Sequence, residues 1–247
     1  MQRPLILLAL LVCALGARAE EVFVAVAANF LQPMEKIVTA FEQDSGHKTK
    51  LAFGSTGSFY AQIRSGAPYQ VLLAADDKTP QRLEQEGQGV AGTRYTYAIG
   101  RLVLWSRQPG LVDAQGQVLT TGRFDKLALA HPELAPYGAA AVQTLGQLGL
   151  LELLRPRFVR GESIGQAYQF VATGNAALGF VAMSQVYADG RLREGSAWVV
   201  PENMHSPLRQ DAILLKRGEG SPAAAALLQY LRGAKARAII QSYGYSF

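Results

Sequence analysis

The sequence is poor in the residues that build disulfides and metal centres. It has one cysteine, Cys13, which lies in an apolar N-terminal stretch, so residues 20–247 have none. This absence excludes disulfides, thiolate metal sites and a cysteine nucleophile from residues 20–247. The three histidines are far apart along the chain, and none forms a pair with the spacing of metal ligands: His47, His131 and His205. Stability must therefore come from core burial, and residues 20–247 suffice for one large domain or two smaller ones.

Charged residues are also sparse, at 17% of the sequence. The net charge of +5 includes Arg3 and Arg18, so residues 20–247 carry +3, and their basic residues are scattered rather than clustered. So mild an excess argues against a nucleic-acid partner.

The only long apolar run lies at the N-terminus. Arg3 precedes the apolar residues 5–15, and residues 17–19 (ARA) follow as an A-x-A cleavage site. The run of about 11 residues is shorter than the roughly 20 that a membrane-spanning helix needs. We therefore predict that residues 1–19 are a signal peptide cleaved before Glu20, and that the protein is exported to the periplasm without stable membrane insertion.

After residue 20, short apolar runs alternate with helical patterns, which indicates βα units and largely parallel sheets. Residues 21–27 (EVFVAVA) have the continuous apolar character of a buried strand, and apolar side chains then recur at helical spacing over residues 30–41. One long strand is predicted over residues 95–105 as a crossover to a second βα series. Residues 211–215 (DAILL) are the predicted return strand.

These crossovers predict two lobes that share strands rather than a flexible tether. Lobe 1 is expected to contain residues 20–98 plus 201–247, and lobe 2 residues 99–200. Such a connection suits hinge closure around a ligand.

Four predicted strand-to-helix junctions carry the residues that could bind a ligand, because helix N-termini present free N–H groups and a positive dipole end. They are residues 27–29 (AAN), 54–58 (GSTGS), 135–138 (APYG) and 161–165 (GESIG). Helix capping by Asn, Ser or Thr would explain each one alone. The glycine-hydroxyl run exceeds what one cap needs, and it is not a P-loop because no lysine follows it. Two junctions from each half could face one cleft at the strand ends.

Two other motifs have alternative interpretations. Asp76 and Asp77 end a strand and could form a paired-carboxylate site, or an Asp-capped turn. The serine-containing run has no G-x-S-x-G context and no evident His–Asp partners, which disfavours a serine hydrolase.

In their order and spacing these segments resemble the periplasmic molybdate-binding proteins that feed ABC transporters, a group within the type II periplasmic binding protein fold. The resemblance covers essentially all of residues 20–247. It is carried by residues 24–30 (VAVAANF), 53–69 (FGSTGSFYAQIRSGAPY), 71–78 (VLLAADDK), 97–106 (YAIGRLVLWS), 131–138 (HPELAPYG), 163–167 (SIGQA), 179–185 (GFVAMSQ) and 231–245 (LRGAKARAIIQSYGY).

The resemblance implies an α/β fold of two lobes, each a mainly parallel sheet flanked by helices, with the ligand in the cleft between them. It implies a receptor rather than an enzyme, with no cofactor, whose cargo is molybdate or tungstate. Molybdenum would be bound only as its oxyanion, without direct metal ligands. The membrane permease subunits of an ABC transporter are the implied partner, and a monomer is the implied state.

The resemblance also implies a set of oxyanion-binding residues: Ala28, Asn29, Ser55, Thr56, Tyr137 and Ile164. Asn29 and Thr56 stand at polar side-chain positions of the family, whereas Tyr137 and Ile164 stand where it uses backbone N–H groups. Some members add a tyrosine hydroxyl where this sequence has Ala182, so that donor is absent here.

A cage of neutral N–H and O–H donors suits a fully deprotonated dianion, and it rejects a protonated oxyanion whose own O–H finds no acceptor. Discrimination between molybdate or tungstate and the smaller sulfate would depend on cavity size. The alternatives are a receptor for sulfate, phosphate or another oxyanion, an exported hydrolase or transferase on a similar scaffold, and an anion-responsive interaction protein.

Overall fold

The computed structural model describes residues 19–247. The predicted signal peptide lies outside the described residues, except for Ala19. Within the described part, no helix has both the length and the apolar character needed to cross a bilayer.

Strands and helices alternate along the described chain. The strands are β1 (Glu21–Ala27), β2 (Lys48–Gly54), β3 (Val71–Leu73), β4 (Tyr95–Gly100), β5 (Leu102–Ser106), β6 (Leu127–Ala130), β7 (Phe158–Gly161), β8 (Leu178–Ala182), β9 (Tyr187–Ala188), β10 (Arg191–Leu192), β11 (Ser196–Val199) and β12 (Leu208–Leu214). The helices are α1 (Leu31–Ser45), α2 (Thr56–Arg64), α3 (Lys78–Gln85), α4 (Val118–Thr121), α5 (Pro136–Gln147), α6 (Leu151–Leu154), α7 (Ile164–Ala172), α8 (Met183–Val186), α9 (Pro222–Arg232) and α10 (Ala234–Ser242).

Two five-stranded sheets form the centres of the molecule. The first has the order β2-β1-β3-β12-β4 and the second the order β11-β5-β8-β6-β7. In the first, β12 runs antiparallel to both neighbours while β1 pairs in parallel with β2 and β3. In the second, β5 is the reversed strand, and β6 pairs in parallel with β7 and β8. Four strands of each sheet therefore share one direction, which confirms the expected two-sheet α/β fold.

The chain passes from the first sheet to the second at Arg101, between β4 and β5. The prediction of one long strand over residues 95–105 is therefore wrong, because the segment divides into two strands of different sheets. At the division, a Cβ on Gly100 would collide with the Tyr137 hydroxyl and the Gln210 amide. Glycine there lets polar groups from both sheets meet at the crossover.

Helices cover both faces of the first sheet, following the alternation of side chains along a strand. Val22, Val24 and Val26 of β1 pack on one face in a cluster that includes residues of α1, α9 and α10. Ala25 points to the other face and packs with residues of α2 and α3. In the second sheet, α5 packs on one face, and α7 packs against β6, β7 and β8, with Val171 in a cluster on the opposite face.

The register of the parallel pairs sets the position of the helix starts. Ala27, the last residue of β1, pairs with Gly54, the last of β2. Likewise Ala130 at the end of β6 pairs with Gly161 at the end of β7. The helical segments that follow β1 and β2 therefore begin side by side, and so do the helices that follow β6 and β7.

Candidate functional site

One cavity between the two sheets collects all four junctions. Its volume is about 190 Å3. We call this small cavity the cage. The lining residues are Ala27, Ala28, Asn29, Gly54, Ser55, Thr56, Ala75, Ala135, Pro136, Tyr137 and Ile164. They include all six residues predicted to bind an oxyanion, and none carries a charge.

Direct contacts between the two halves close the cage. The Gly57 N–H donates to the Leu134 carbonyl at 2.9 Å, and a Cβ on Gly57 would lie only 3.0 Å from the Leu134 Cα. On the other side, the Ser184 hydroxyl donates to the Asn29 carbonyl at 2.7 Å. These contacts place the helix starts of both halves against the same small space.

Thr56 offers its hydroxyl hydrogen to the cavity. The residue is 1% exposed, and its Oγ1 accepts the Ala75 N–H at 2.9 Å. A hydroxyl that accepts one hydrogen bond still has its own hydrogen to donate. Among the described residues that hydrogen has no acceptor, so Thr56 is available as a buried O–H donor.

Ser55 acts as the N-cap of α2. Its Oγ accepts the Ser58 N–H at 3.3 Å and donates to the Ser58 Oγ at 2.7 Å. The side-chain donor of Ser55 is therefore already used, and the capping interpretation holds for this hydroxyl. Ser55 still lines the cavity, where its backbone borders the N-terminus of α2.

Tyr137 and Ile164 contribute backbone N–H groups from the first turns of α5 and α7. Such groups have no acceptor within their own helix. Among the described residues, neither N–H has another backbone acceptor. The N-terminal ends of α2, α5 and α7 thus bring partial positive charge to a cavity without Lys or Arg.

Asn29 lies in the 3-10 turn Ala28–Phe30 and is 2% exposed. Its Nδ2 donates to Gln210 Oε1 at 2.8 Å and to the Tyr245 hydroxyl at 2.9 Å. Its Oδ1 is buried without a hydrogen-bond partner among the described residues. The structure therefore places Asn29 at the cavity as predicted, but it directs the amide donors away toward a polar network.

A family model described as bacterial extracellular solute-binding protein matches residues 22–246. The chain belongs to this family. It is therefore a solute-binding protein and not an enzyme.

Several relatives of this solute-binding protein are named for the ligand that they bind. It is 58% identical to the molybdate-binding protein ModA of Azotobacter vinelandii, over 96% of this chain and 93% of the relative. It is 48% identical to the molybdate-binding protein ModA of Rhodobacter capsulatus, over 94% and 90% of the two chains. Among solved structures, it is similar to an Azotobacter vinelandii periplasmic molybdate-binding protein with a TM-score of 0.89 and 42% identity, over 92% of this chain and 99% of that one.

The polar network behind the cavity of this solute-binding protein was not predicted. Gln210 on β12 is fully buried, and its Nε2 donates to the Tyr137 hydroxyl at 3.0 Å. Tyr97 donates to Gln210 Oε1 at 3.0 Å, and Tyr245 lies beside Asn29. The available signal was a glutamine immediately before the predicted strand of residues 211–215, together with the tyrosines of residues 97 and 245 in the segments that carry the resemblance.

Burial keeps these tyrosines neutral. It raises the pKa of Tyr97 and Tyr137 well above the ordinary value, and that of Tyr245 to about 12. The hydroxyls therefore act as neutral donors and acceptors at the pH of the cell.

Ala182 contributes no group to the cavity. It is buried at the end of β8, where its N–H donates to Gln185 Oε1 at 2.9 Å. Gln185 Nε2 in turn donates to the Ile164 carbonyl at 3.2 Å, which supports the start of α7.

Asp76 is held in a turn. Its carboxylate accepts the Thr79 N–H at 2.8 Å and the Thr79 hydroxyl at 3.2 Å, which confirms the capped-turn interpretation. Burial raises the pKa of Asp76. Asp76 lines a neighbouring pocket between the halves rather than the cage itself.

Proposed function

We propose that this protein captures molybdate in the cage between its two sheets and delivers it to the membrane permease subunits of an ABC transporter. The observation that carries the proposal is the lining of the cage. Residues of four junctions line it, three of these junctions offer neutral donors at the starts of α2, α5 and α7, and no charged side chain lines the space.

A tetrahedral dianion matches this lining for a physical reason. Burying such an ion is costly unless its oxygens are hydrogen-bonded, and the cage supplies donors on several sides. They include the Thr56 hydroxyl and the backbone N–H groups at the starts of α2, α5 and α7. Helix dipoles offset the charge without a salt bridge. A hydrogen phosphate would bring an O–H that needs an acceptor, so the same lining disfavours it.

The oxyanion-binding residues of this proposal are those predicted from the sequence: Ala28, Asn29, Ser55, Thr56, Tyr137 and Ile164. The two lobes that close on the ion follow the predicted division into residues 20–98 plus 201–247 and residues 99–200, with the crossover moved to Arg101 because β4 continues to Gly100 in the first sheet.

The names of the relatives support molybdate over other oxyanions. Two chains at 58% and 48% identity are named molybdate-binding proteins, and each alignment spans at least 90% of both partners. We extend the proposal to tungstate, because it has the same charge and shape as molybdate.

We further propose that the protein is periplasmic and monomeric and that it does not insert stably into the membrane. The support is the N-terminal pattern of residues 1–19 and the similarity to a solved periplasmic molybdate-binding protein. The mass of the exported protein should correspond to a chain that begins at Glu20. Light scattering should give the mass of one chain.

Calorimetry of the protein purified from a periplasmic extract tests the ligand. Titration with molybdate and with tungstate should give tight binding at one site per chain, and sulfate and phosphate should bind far more weakly. Tight binding of sulfate or phosphate with no response to molybdate would refute the proposal and favour a receptor for that anion.

A further inference from the structure

The amide of Asn29 has the wrong polarity for an anion. Its Nδ2 faces the network, and its Oδ1 is the buried atom without a partner. Asn29 lines the cage, so the unpartnered oxygen is the amide end left for the cavity. A carboxamide oxygen only accepts hydrogen bonds, and an oxyanion also only accepts them. An anion in the cage therefore requires the opposite orientation of this amide.

The orientation of Asn29 depends on Gln210. The other partner of the Asn29 amide is the Tyr245 hydroxyl, which can either donate or accept. Gln210 has distinct donor and acceptor ends, and its Oε1 faces Asn29 at 2.8 Å. If Asn29 alone reversed, two carbonyl oxygens would face each other in a fully buried place. The two amides must therefore reverse together.

We propose that Gln210 is a positioning residue for oxyanion binding, whose amide rotates together with that of Asn29 so that Asn29 Nδ2 donates to the bound ion. This inference rests on the proposed function. In the reversed arrangement, Gln210 Nε2 donates to Asn29 Oδ1 and to the Tyr97 hydroxyl.

Each hydroxyl that contacts the two amides can rearrange its hydrogen bonds to fit the reversed orientation. The Tyr97 hydroxyl can accept from Gln210 because its own hydrogen has another acceptor, the Ala74 carbonyl at 3.1 Å. The Tyr137 hydroxyl, 3.0 Å from Gln210, becomes the donor to Gln210 Oε1. The Tyr245 hydroxyl turns to donate to Asn29 Oδ1, while the Asn29 carbonyl keeps the Ser184 hydroxyl at 2.7 Å. In the reversed network every polar side-chain atom of Asn29 and Gln210 has a hydrogen-bond partner once an anion oxygen accepts from Asn29 Nδ2.

The network also joins the two halves of the molecule. Gln210 lies on β12 of the first sheet, whereas Tyr137 lies on α5, which packs on the second. Their hydrogen bond therefore makes the orientation of the Gln210 amide depend on groups from both halves.

The test is an NMR measurement of the Gln210 side-chain amide in the wild-type protein, with 15N-labelled glutamine and protonated tyrosine rings in a deuterated background. With saturating sodium molybdate, the Gln210 amide hydrogens should show their strong nuclear Overhauser effect to the Tyr97 ring. A strong effect to the Tyr137 ring in the molybdate complex would overturn the proposal. Gln62, which accepts from the Tyr69 hydroxyl at 2.9 Å on the surface, provides a control amide whose pattern should not change.

The variant Gln210→Met adds molybdate affinity as a second readout. It also assigns the Gln210 side-chain amide resonance, which is the signal that disappears in this variant. It removes the orienting amide, and molybdate affinity should fall about tenfold, which is about 1.4 kcal/mol. Gln62→Met should bind molybdate as the wild type does. Equal affinity of Gln210→Met and wild type would also overturn the proposal. Calorimetry of the wild-type protein distinguishes failure of the Gln210 proposal from failure of the proposed function, because an absence of molybdate binding by the wild type refutes the proposed function itself.

Discussion

The replacement Thr56→Val removes a hydroxyl while keeping nearly the same side-chain shape. In the structure that hydroxyl has two roles. Its oxygen accepts the Ala75 N–H at 2.9 Å, and its hydrogen is available to an ion in the cage. The variant should therefore change two measurable quantities, the affinity for molybdate and the free energy of unfolding.

The magnitude of each loss follows from the kind of hydrogen bond. A bond to a charged acceptor contributes about 1.5–3 kcal/mol, so the affinity should fall by roughly 10- to 150-fold. The Ala75 N–H is buried and would lose its acceptor, at a cost of about 1–3 kcal/mol in the free energy of unfolding.

Calorimetry with molybdate measures the first loss, and urea denaturation of the ligand-free protein measures the second. Thr56→Ser is the matched control, because it keeps the hydroxyl and removes one methyl group worth about 0.8 kcal/mol. If the valine and serine variants bind molybdate equally well, the hydroxyl of Thr56 does not contact the ion and the reasoning is wrong.

Three further predictions concern closure, alkaline stability and a partly buried ion pair. Gly57→Ala should weaken molybdate binding about tenfold, because roughly 1.4 kcal/mol of overpacking against Leu134 arises only in the closed state; calorimetry measures it. Burial raises the pKa of Tyr245 to about 12, so its contribution is complete below about pH 10 and is lost as the pH rises toward 12; denaturation across this range should show a shallower loss for Tyr245→Phe. Arg94→Met should destabilise the fold by about 3 kcal/mol in urea denaturation, because Asp211 is 1% exposed and accepts from Arg94 at 2.6 Å.

Each of these has a control or a contradicting result. Gly146→Ala is the control for Gly57→Ala, since its Cβ meets no atom within 4 Å, and equal binding by both variants would contradict the closure argument. Identical alkaline profiles for Tyr245→Phe and wild type would contradict the burial argument. For the ion pair, Arg155→Met removes an exposed partner of Glu152, and it should leave the stability almost unchanged.

Much of the fold was predictable because its signals are local. The apolar run of residues 21–27 and the helical spacing after it depend only on near neighbours in the chain, and both elements are present as β1 and α1. The break at Gly100 was not predicted, because residues 95–105 are apolar on both sides of it. What divides them is the approach of Tyr137 and Gln210, which are distant in sequence.

In the candidate site, too, the local features were predictable from the sequence and the contacts between distant segments were not. The glycine and hydroxyl residues at 54–58 and the helix starts near Tyr137 and Ile164 were visible as junctions in the sequence. Capping alone explained each of them, and it does explain the Ser55 hydroxyl. Their convergence on one cavity depends on strand order and register, which no single segment contains.

The sequence by itself determined the kind of chemistry available: no cysteine beyond residue 13, no clustered charge, and small neutral residues at four helix starts. These are properties of composition and of short spacing. Only the tertiary structure decided the polarity of the cage, because the Asn29 amide is oriented by Gln210 and Tyr245, which lie 181 and 216 residues away along the chain. A buried amide forms hydrogen bonds with whichever groups the fold brings within about 3 Å, and the packing of the sheets sets that distance.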